Sequence, residues 1–249
     1  MANSESDRID YPVRINRFLA LKGIAARREA DELIRAGKVK INGRRARLGD
    51  QVHAGDDVTA VARPAKELIY IAYNKPKEIV THTPQKGERS IADEIQSKFK
   101  VVRPGSPQEK LFPLGRLDKN SEGLIILTND GRITDRLLNP EYGHEKEYLV
   151  KVNKSLNGDF VRRIQKGLFI EGYKTKPAIL IKEGERTFRL ILTEGKKHQI
   201  RRMCTALGYE VVSLKRMRIM NIKLGYLPAG KFRKLEGKEL DTFLKNLGI

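Results

Sequence analysis

Residues Gly115 to Gly131 read GRLDKNSEGLIILTNDG. Leu124 to Thr128 is a short apolar run with the length and content of a buried strand. Ahead of it lies a polar loop bracketed by Gly115 and Gly123, with Asp118 set between the cations Arg116 and Lys119. Nearby positive charge favours the ionised form of a carboxylate, and an ionised carboxylate can serve as a nucleophile or a base. Most aspartates in glycine-flanked loops simply form turns. The stretch therefore fixes a loop-then-strand unit and leaves the role of Asp118 open.

Outward from that strand, further strand signals lie at Leu68 to Tyr73, closed by Lys75-Pro76, and at Tyr148 to Val152, Ala178 to Lys182 and Phe188 to Leu192. Helical spacing falls between them at Ser90 to Lys98, Arg132 to Leu138, Leu156 to Lys166 and His198 to Leu207. Residues 68–249 read as one larger α+β domain. Residues 62–67, beginning ARPAK, read as a linker, and residues 1–12 as a polar tail.

Between tail and linker, residues 13–61 read as a small unit of two helices and a hairpin. Ile15, Phe18 and Leu19 share one helix face, closed by Gly23; Ala30, Leu33 and Ile34 share another, closed by Gly37. Val39 and Ile41 then alternate with lysines, and Asn42-Gly43 is the preferred pair for a type I′ turn. A second short strand is expected near Val52.

The chain has 249 residues, with 50 Lys and Arg against 31 Asp and Glu, a formal net charge of +19. Such an excess points to a polyanionic partner, nucleic acid before an anionic membrane surface. A single cysteine, Cys204, and four scattered histidines leave no disulfide framework and no zinc-type cluster. No apolar run approaches the length of a membrane span, and the first residues, MANSESDRIDYP, lack the character of a secretion signal. A reduced, cytoplasmic protein is expected.

The basic residues are concentrated. Arg14, Arg17, Arg27, Arg28 and Arg35 are read on the two short helices, mostly away from the apolar face. Arginine's planar fork suits phosphate, and with few aromatics there, backbone and shape recognition of folded RNA is expected. A second cluster, GKKHQIRRM at 195–203, opens a helix whose inward face is Ile200, Met203 and Leu207. Arg201 and Arg202 cannot both point inward on that helix; one can reach a pocket while the other meets phosphate. His198 reads as structural. Lys215, Arg216 and Arg218 form a third cluster, alternating with Leu214 and Met217. Lys196, Lys197, Arg202, Lys215 and Arg216 are accordingly expected on RNA.

The string at 14–56, with its basic first helix, the RREA start of the second and the GKVKING hairpin, resembles the S4 RNA-binding domain. Behind it, GRLDKNSEGLIILTNDG, KEYLV at 146–150 and GKKHQIRRM occur in the order of the RsuA/RluB/RluF family of rRNA pseudouridine synthases, and the resemblance runs from Arg14 to about Leu244. RIMN at 218–221 and HEKEYLV at 144–150 bring it nearest the RluF branch. The resemblance implies a mixed, mainly antiparallel sheet flanked by helices. It implies isomerisation of a flipped-out uridine in structured large-subunit (23S) rRNA, with no cofactor and no metal. Small-subunit (16S) rRNA, tRNA, or a non-catalytic assembly factor holding RNA are the alternatives, and a monomer is the default.

By the same resemblance Asp118 is the catalytic aspartate, attacking base or ribose. Tyr148 packs on the target ring and serves proton transfer. Arg201 pairs with the aspartate, Leu214 lines the pocket, and Arg116 enters the space the uridine vacates. One departure stands out: where the family reads N-K-P-x-G, residues 74–78 read NKPKE, placing Glu78 where a glycine is usual.

Overall fold

The computed structural model describes residues 9–61, 67–98 and 111–249. They gather into two compact units. The first takes in the described residues through Leu68 together with Asp130–Asp135 and Ile249; the second comprises Ile69–Asn129 and Arg136–Gly248. Most of the tail and most of the linker read from the sequence fall outside the described residues.

The first unit runs β1 (Val13–Arg14), α1 (Ile15–Leu21), α2 (Arg27–Arg35), β2 (Val39–Ile41), β3 (Arg44–Arg45), β4 (Gln51–Val52) and β5 (Val58–Ala60). The apolar faces of both helices close on Val39, Ile41 and Val52 in one small core, because i, i+3, i+4 spacing turns those side chains to one side. Ile41 pairs with Arg44 across a two-residue loop. Its members Asn42 and Gly43 both have positive φ, 51° and 78°, which is the expected type I′ turn. Arg14 ends β1 and precedes α1, so it is not on a helix.

The second unit continues with β6 (Tyr70–Lys75), α3 (Ile91–Lys98), β7 (Phe112–Leu114), β8 (Glu122–Thr128), the second half of α4 (Ile133–Leu138), whose first three residues are counted with the first unit, β9 (Lys146–Val152) and α5 (Gly158–Lys166). It goes on through β10 (Phe169–Ile170), β11 (Tyr173–Lys174), β12 (Ile179–Lys182), β13 (Thr187–Leu192) and α6 (Gln199–Ala206). It closes with β14 (Val211–Ile219), β15 (Ile222–Lys223), β16 (Phe232–Lys234) and α7 (Gly237–Asn246). Sequence reading missed α7, although Phe243 and Leu247 bury one face of it.

Nine strands form one sheet in the order β12-β13-β9-β14-β8-β6-β16, with β15 on β14 and β7 on β8. Every pairing in it is antiparallel except β14 with β8. β8 carries the apolar run LIILT, and Leu124 to Leu127 are buried. One edge of β8 is shared: β14 takes Glu122 and Gly123 in parallel, while β7 takes Ile126 to Thr128. Two strands competing for one edge must splay, and the site opens at that fork.

Candidate active site

A cavity of about 330 Å³ lies at the fork. Its lining draws on the end of β7 and the following loop (Leu114 to Asp118), on β9 (Lys146, Tyr148), on β14 (Leu214, Arg216, Ile219) and on Gly195 to Ile200. Period-2 alternation explains the strand contributions. Lys146 and Tyr148 lie two apart on β9, Leu214 and Arg216 two apart on β14, and Arg216 sits directly across from Tyr148. A bulge at Met217 absorbs one residue and brings Ile219 opposite Lys146.

The loop bearing Asp118 is held carbonyl by carbonyl. Arg216 Nη1 donates to Arg116 O at 3.4 Å and Thr81 Oγ1 to Leu117 O at 2.6 Å. Ser121 N–H donates to Asp118 O at 3.0 Å and Glu78 N–H to Lys119 O at 2.9 Å. Arg201 Nη2 donates to Asn120 O at 3.0 Å. Five consecutive acceptors are thus satisfied within the unit, so Asp118 is presented on a preorganised backbone. Lys75, with no exposed surface, adds a bond from Nζ to Lys119 O at 3.5 Å beside two to Pro76 O and Ile79 O. Burial pushes its ammonium down to about 8, against the opposing pull of Asp118, Glu78 and Glu122.

The side chain of Asp118 is one-third exposed, and it is met by His198, with Nε2 3.3 Å from Oδ1. Tyr148 and Leu214 line the cavity and are 8% and 5% exposed. A charged carboxylate beside an aromatic and an aliphatic wall in a concave site can attack, or take a proton from, a flat ring laid against the tyrosine.

The family described as RNA pseudouridylate synthase matches residues 69–206, and the S4 domain matches residues 13–58. The dual-specificity RNA pseudouridine synthase RluF of Escherichia coli (strain K12) is 43% identical over 242 residues, 95% of this chain and 80% of that one. The chain belongs to the RNA pseudouridine synthase family. The ribosomal large subunit pseudouridine synthase B of Bacillus subtilis (strain 168) is 33% identical, covering 91% of this chain and 93% of its own. A crystal structure of a pseudouridylate synthase superposes with a TM-score of 0.67 at 28% identity, over 94% of this chain and 99% of that one. This chain is therefore a pseudouridine synthase: it isomerises uridine to pseudouridine in RNA, with an S4 domain at its N-terminal side.

Within this pseudouridine synthase, the cavity brings together Arg116, Asp118, Tyr148, Leu214, Lys196, Lys197 and Arg216 of the residues singled out by sequence. Arg201 is placed differently from its expectation: it is spent on Asn120 O and on Val211 O at 3.2 Å, and it is His198 that meets Asp118. The reason is geometric, because Arg201 lies a turn into α6, beyond the carboxylate and beside the loop's backbone. Arg216 also departs from its expectation on RNA phosphate. It is 3% exposed, with Nε donating to Leu124 O at 2.7 Å, because alternation turns it inward with Leu214 and turns Lys215 away.

Arg202 pairs with Glu171 at 3.0 Å, and Lys215 is half-buried outside the cavity lining. Arg14, Arg17, Arg27, Arg28 and Arg35 are all exposed in the first unit, as are Arg44, Arg45 and Arg47, which sequence reading did not single out. Glu78, in the glycine position, holds a left-handed backbone, φ 65°, so the turn survives with a side chain that strains it. Lys146 was also missed. Its signal was its place two residues before Tyr148, on the same face of the strand.

Proposed function

We propose that the RNA is ribosomal, large-subunit (23S) rRNA, and that Asp118 carries the chemistry. The name of the Bacillus subtilis relative supports the substrate. The tied loop supports the role of Asp118, since it holds one carboxylate rigidly in a cavity with Tyr148 and Leu214. The target uridine leaves its stack, at a cost of a few kcal/mol, and Arg116 at the cavity mouth enters the vacated space. Asp118 attacks base or ribose. The N1–C1′ bond breaks, the uracil turns, C5 bonds to C1′, the bond to Asp118 breaks and returns its electron pair to the carboxylate, and the C5 proton is lost while N1 gains one. Tyr148 packs on the ring and moves protons, and Leu214 walls it in.

Arg201 acts by holding the loop. The exposed arginines of the first unit, with Lys196, Lys197 and Arg202, meet phosphates, which position RNA without reading sequence. The protein works as a cytoplasmic monomer, and no described helix is long and apolar enough to cross a membrane. A second reading, with tRNA beside rRNA, is favoured by the dual specificity in the name of RluF.

Asp118→Asn tests the assignment. It keeps the shape and removes the ionisable oxygen, so tritium release from 5-tritiated uridine should vanish while RNA binding persists. Retained turnover sinks it. Pseudouridine mapping of rRNA from cells with and without the protein tests the substrate.

A further inference from the structure

Lys146 and Arg216 are two cations in one cavity with no carboxylate partner among the described residues. Lys146 is half-buried, and among the described residues the only hydrogen bond of its ammonium is a long one, Nζ to His144 O at 3.4 Å. Burial and the neighbouring charge of Arg216 hold its ammonium down at about 8. Arg216 uses two nitrogens on backbone carbonyls, and its Nη2 is buried with no acceptor. Taking charge out of water without a counter-ion is expensive. Carboxylates are available nearby and are used elsewhere: Glu145 and Glu147 both pair with Arg218. Uncompensated positive charge kept in a concave site marks a place where negative charge arrives.

We propose that Lys146 is a further catalytic residue, donating to a carbonyl oxygen of the flipped uracil as that ring becomes anionic, with Arg216 a positioning residue behind it. The inference rests on the reading that the ring lies against Tyr148. When N1–C1′ breaks, its electron pair goes to N1 and spreads onto O2 and O4; when Asp118 instead adds to the ring, the pair spreads onto O4. Either route puts negative charge on a carbonyl oxygen. Lys146 stands two residues along β9 from Tyr148, on the same face, and Arg216 faces Tyr148 across the strand pair. A fixed guanidinium raises the local potential at no reorganisation cost, and the ammonium supplies the proton donor. No proton need be transferred to Lys146 or from it.

The test is Lys146→Met in the full-length protein, on a stem-loop RNA carrying either uridine or 5-fluorouridine at the target. Loss of one such donor costs on the order of 10²- to 10³-fold in kcat. RNA affinity should stay within about threefold, since no phosphate contact is removed. Fluorine stabilises the uracil anion by itself, so consumption of 5-fluorouridine should suffer at least tenfold less than turnover of uridine. Lys146→Gln, which removes the charge and keeps a polar chain, should show the same split. Unchanged kcat overturns the proposal; so does an equal loss on both substrates, the mark of a packing defect. A fall in affinity matching the fall in turnover overturns it in favour of a phosphate contact. If the wild-type protein itself releases no tritium, the catalytic reading fails first; if it does and Lys146→Met matches it, only this inference fails.

Discussion

His198 Nε2 lies 3.3 Å from Asp118 Oδ1, and His198 reaches it from a left-handed backbone, φ 54°. A strained histidine that opens α6 and touches the one carboxylate of the tied loop is where a fold spends conformational energy on a site.

Replacement separates the backbone from the side chain. Asparagine tolerates the left-handed region better than most residues and still offers an N–H donor. His198→Asn should therefore lose less turnover than His198→Ala, whose loss should be on the order of 10- to 100-fold from a carboxylate no longer held in place. Steady-state kcat on the target RNA reads it, and equal values for both variants would refute the orienting role.

Gly123 should be irreplaceable. Its φ is 109°, and a Cβ there would stand 2.4 Å from Arg216 O and 2.6 Å from Arg216 N, where β8 and β14 meet in parallel. Gly123→Ala must push the two strands apart at Arg216, which lines the cavity. A cost of about 2–5 kcal/mol is expected from strain and overpacking together, read as a lower denaturant midpoint.

Glu78 gives the opposite sign. A side chain in the left-handed region costs about 1–2 kcal/mol, and its exposed pair with Lys119 at 3.8 Å returns little. Glu78→Gly should be as stable as the parent or up to about 1 kcal/mol more so. Glu78→Val should be less stable than both, because a β-branched residue fits that region worst. Thermal melting of the three proteins orders them.

The strands were legible because LIILT, KEYLV and FRLIL carry their own apolar content, and the hairpin because Asn42-Gly43 satisfies a backbone demand. The inward turn of Arg216 was legible in principle, since it follows Leu214 by two. What hid it is that a basic residue is ordinarily outside, and its burial depends on the carbonyls of Leu124 and Arg116, about a hundred residues away in sequence. The contact of His198 with Asp118 spans 80 positions and arises only once β14 and β7 divide one edge of β8. Local pattern cannot report on such pairs. The motif order located the loop, and the fold decided which cations serve its backbone and which face the cavity.

Stability should rise as pH rises from about 8 toward 9. Lys75 and Lys146 are held near 8 in the fold, against 10.5 for an ordinary lysine. Between those values the unfolded chain binds more protons than the native one, so the cost of burying the two ammonium groups is full below 8 and is relieved above it. Further up, Cys204, pushed to about 12, and the raised hydroxyl of Tyr73 work in the opposite direction, because the unfolded chain loses those protons first. Denaturant midpoints at pH 7.5, 8.5 and 9 should climb for the wild type. They should climb less for Lys146→Met, and identical profiles would show that Lys146 keeps its ordinary proton affinity.

Replacing Arg14, Arg17 and Arg28 by Gln should weaken binding of many structured RNAs alike. All three are exposed on the first unit, and among the described residues none has a carboxylate partner to occupy its guanidinium. Each arginine taken off a phosphate abolishes one counterion release, so the slope of log K against log salt should become shallower by about one unit or less per arginine. Turnover of saturating RNA should change little, because the cavity is lined wholly by residues of the second unit. Wild-type affinity together with a wild-type slope would mean that these side chains only solvate the surface, and RNA placement would then have to be sought on Arg44, Arg45 and Arg47 instead.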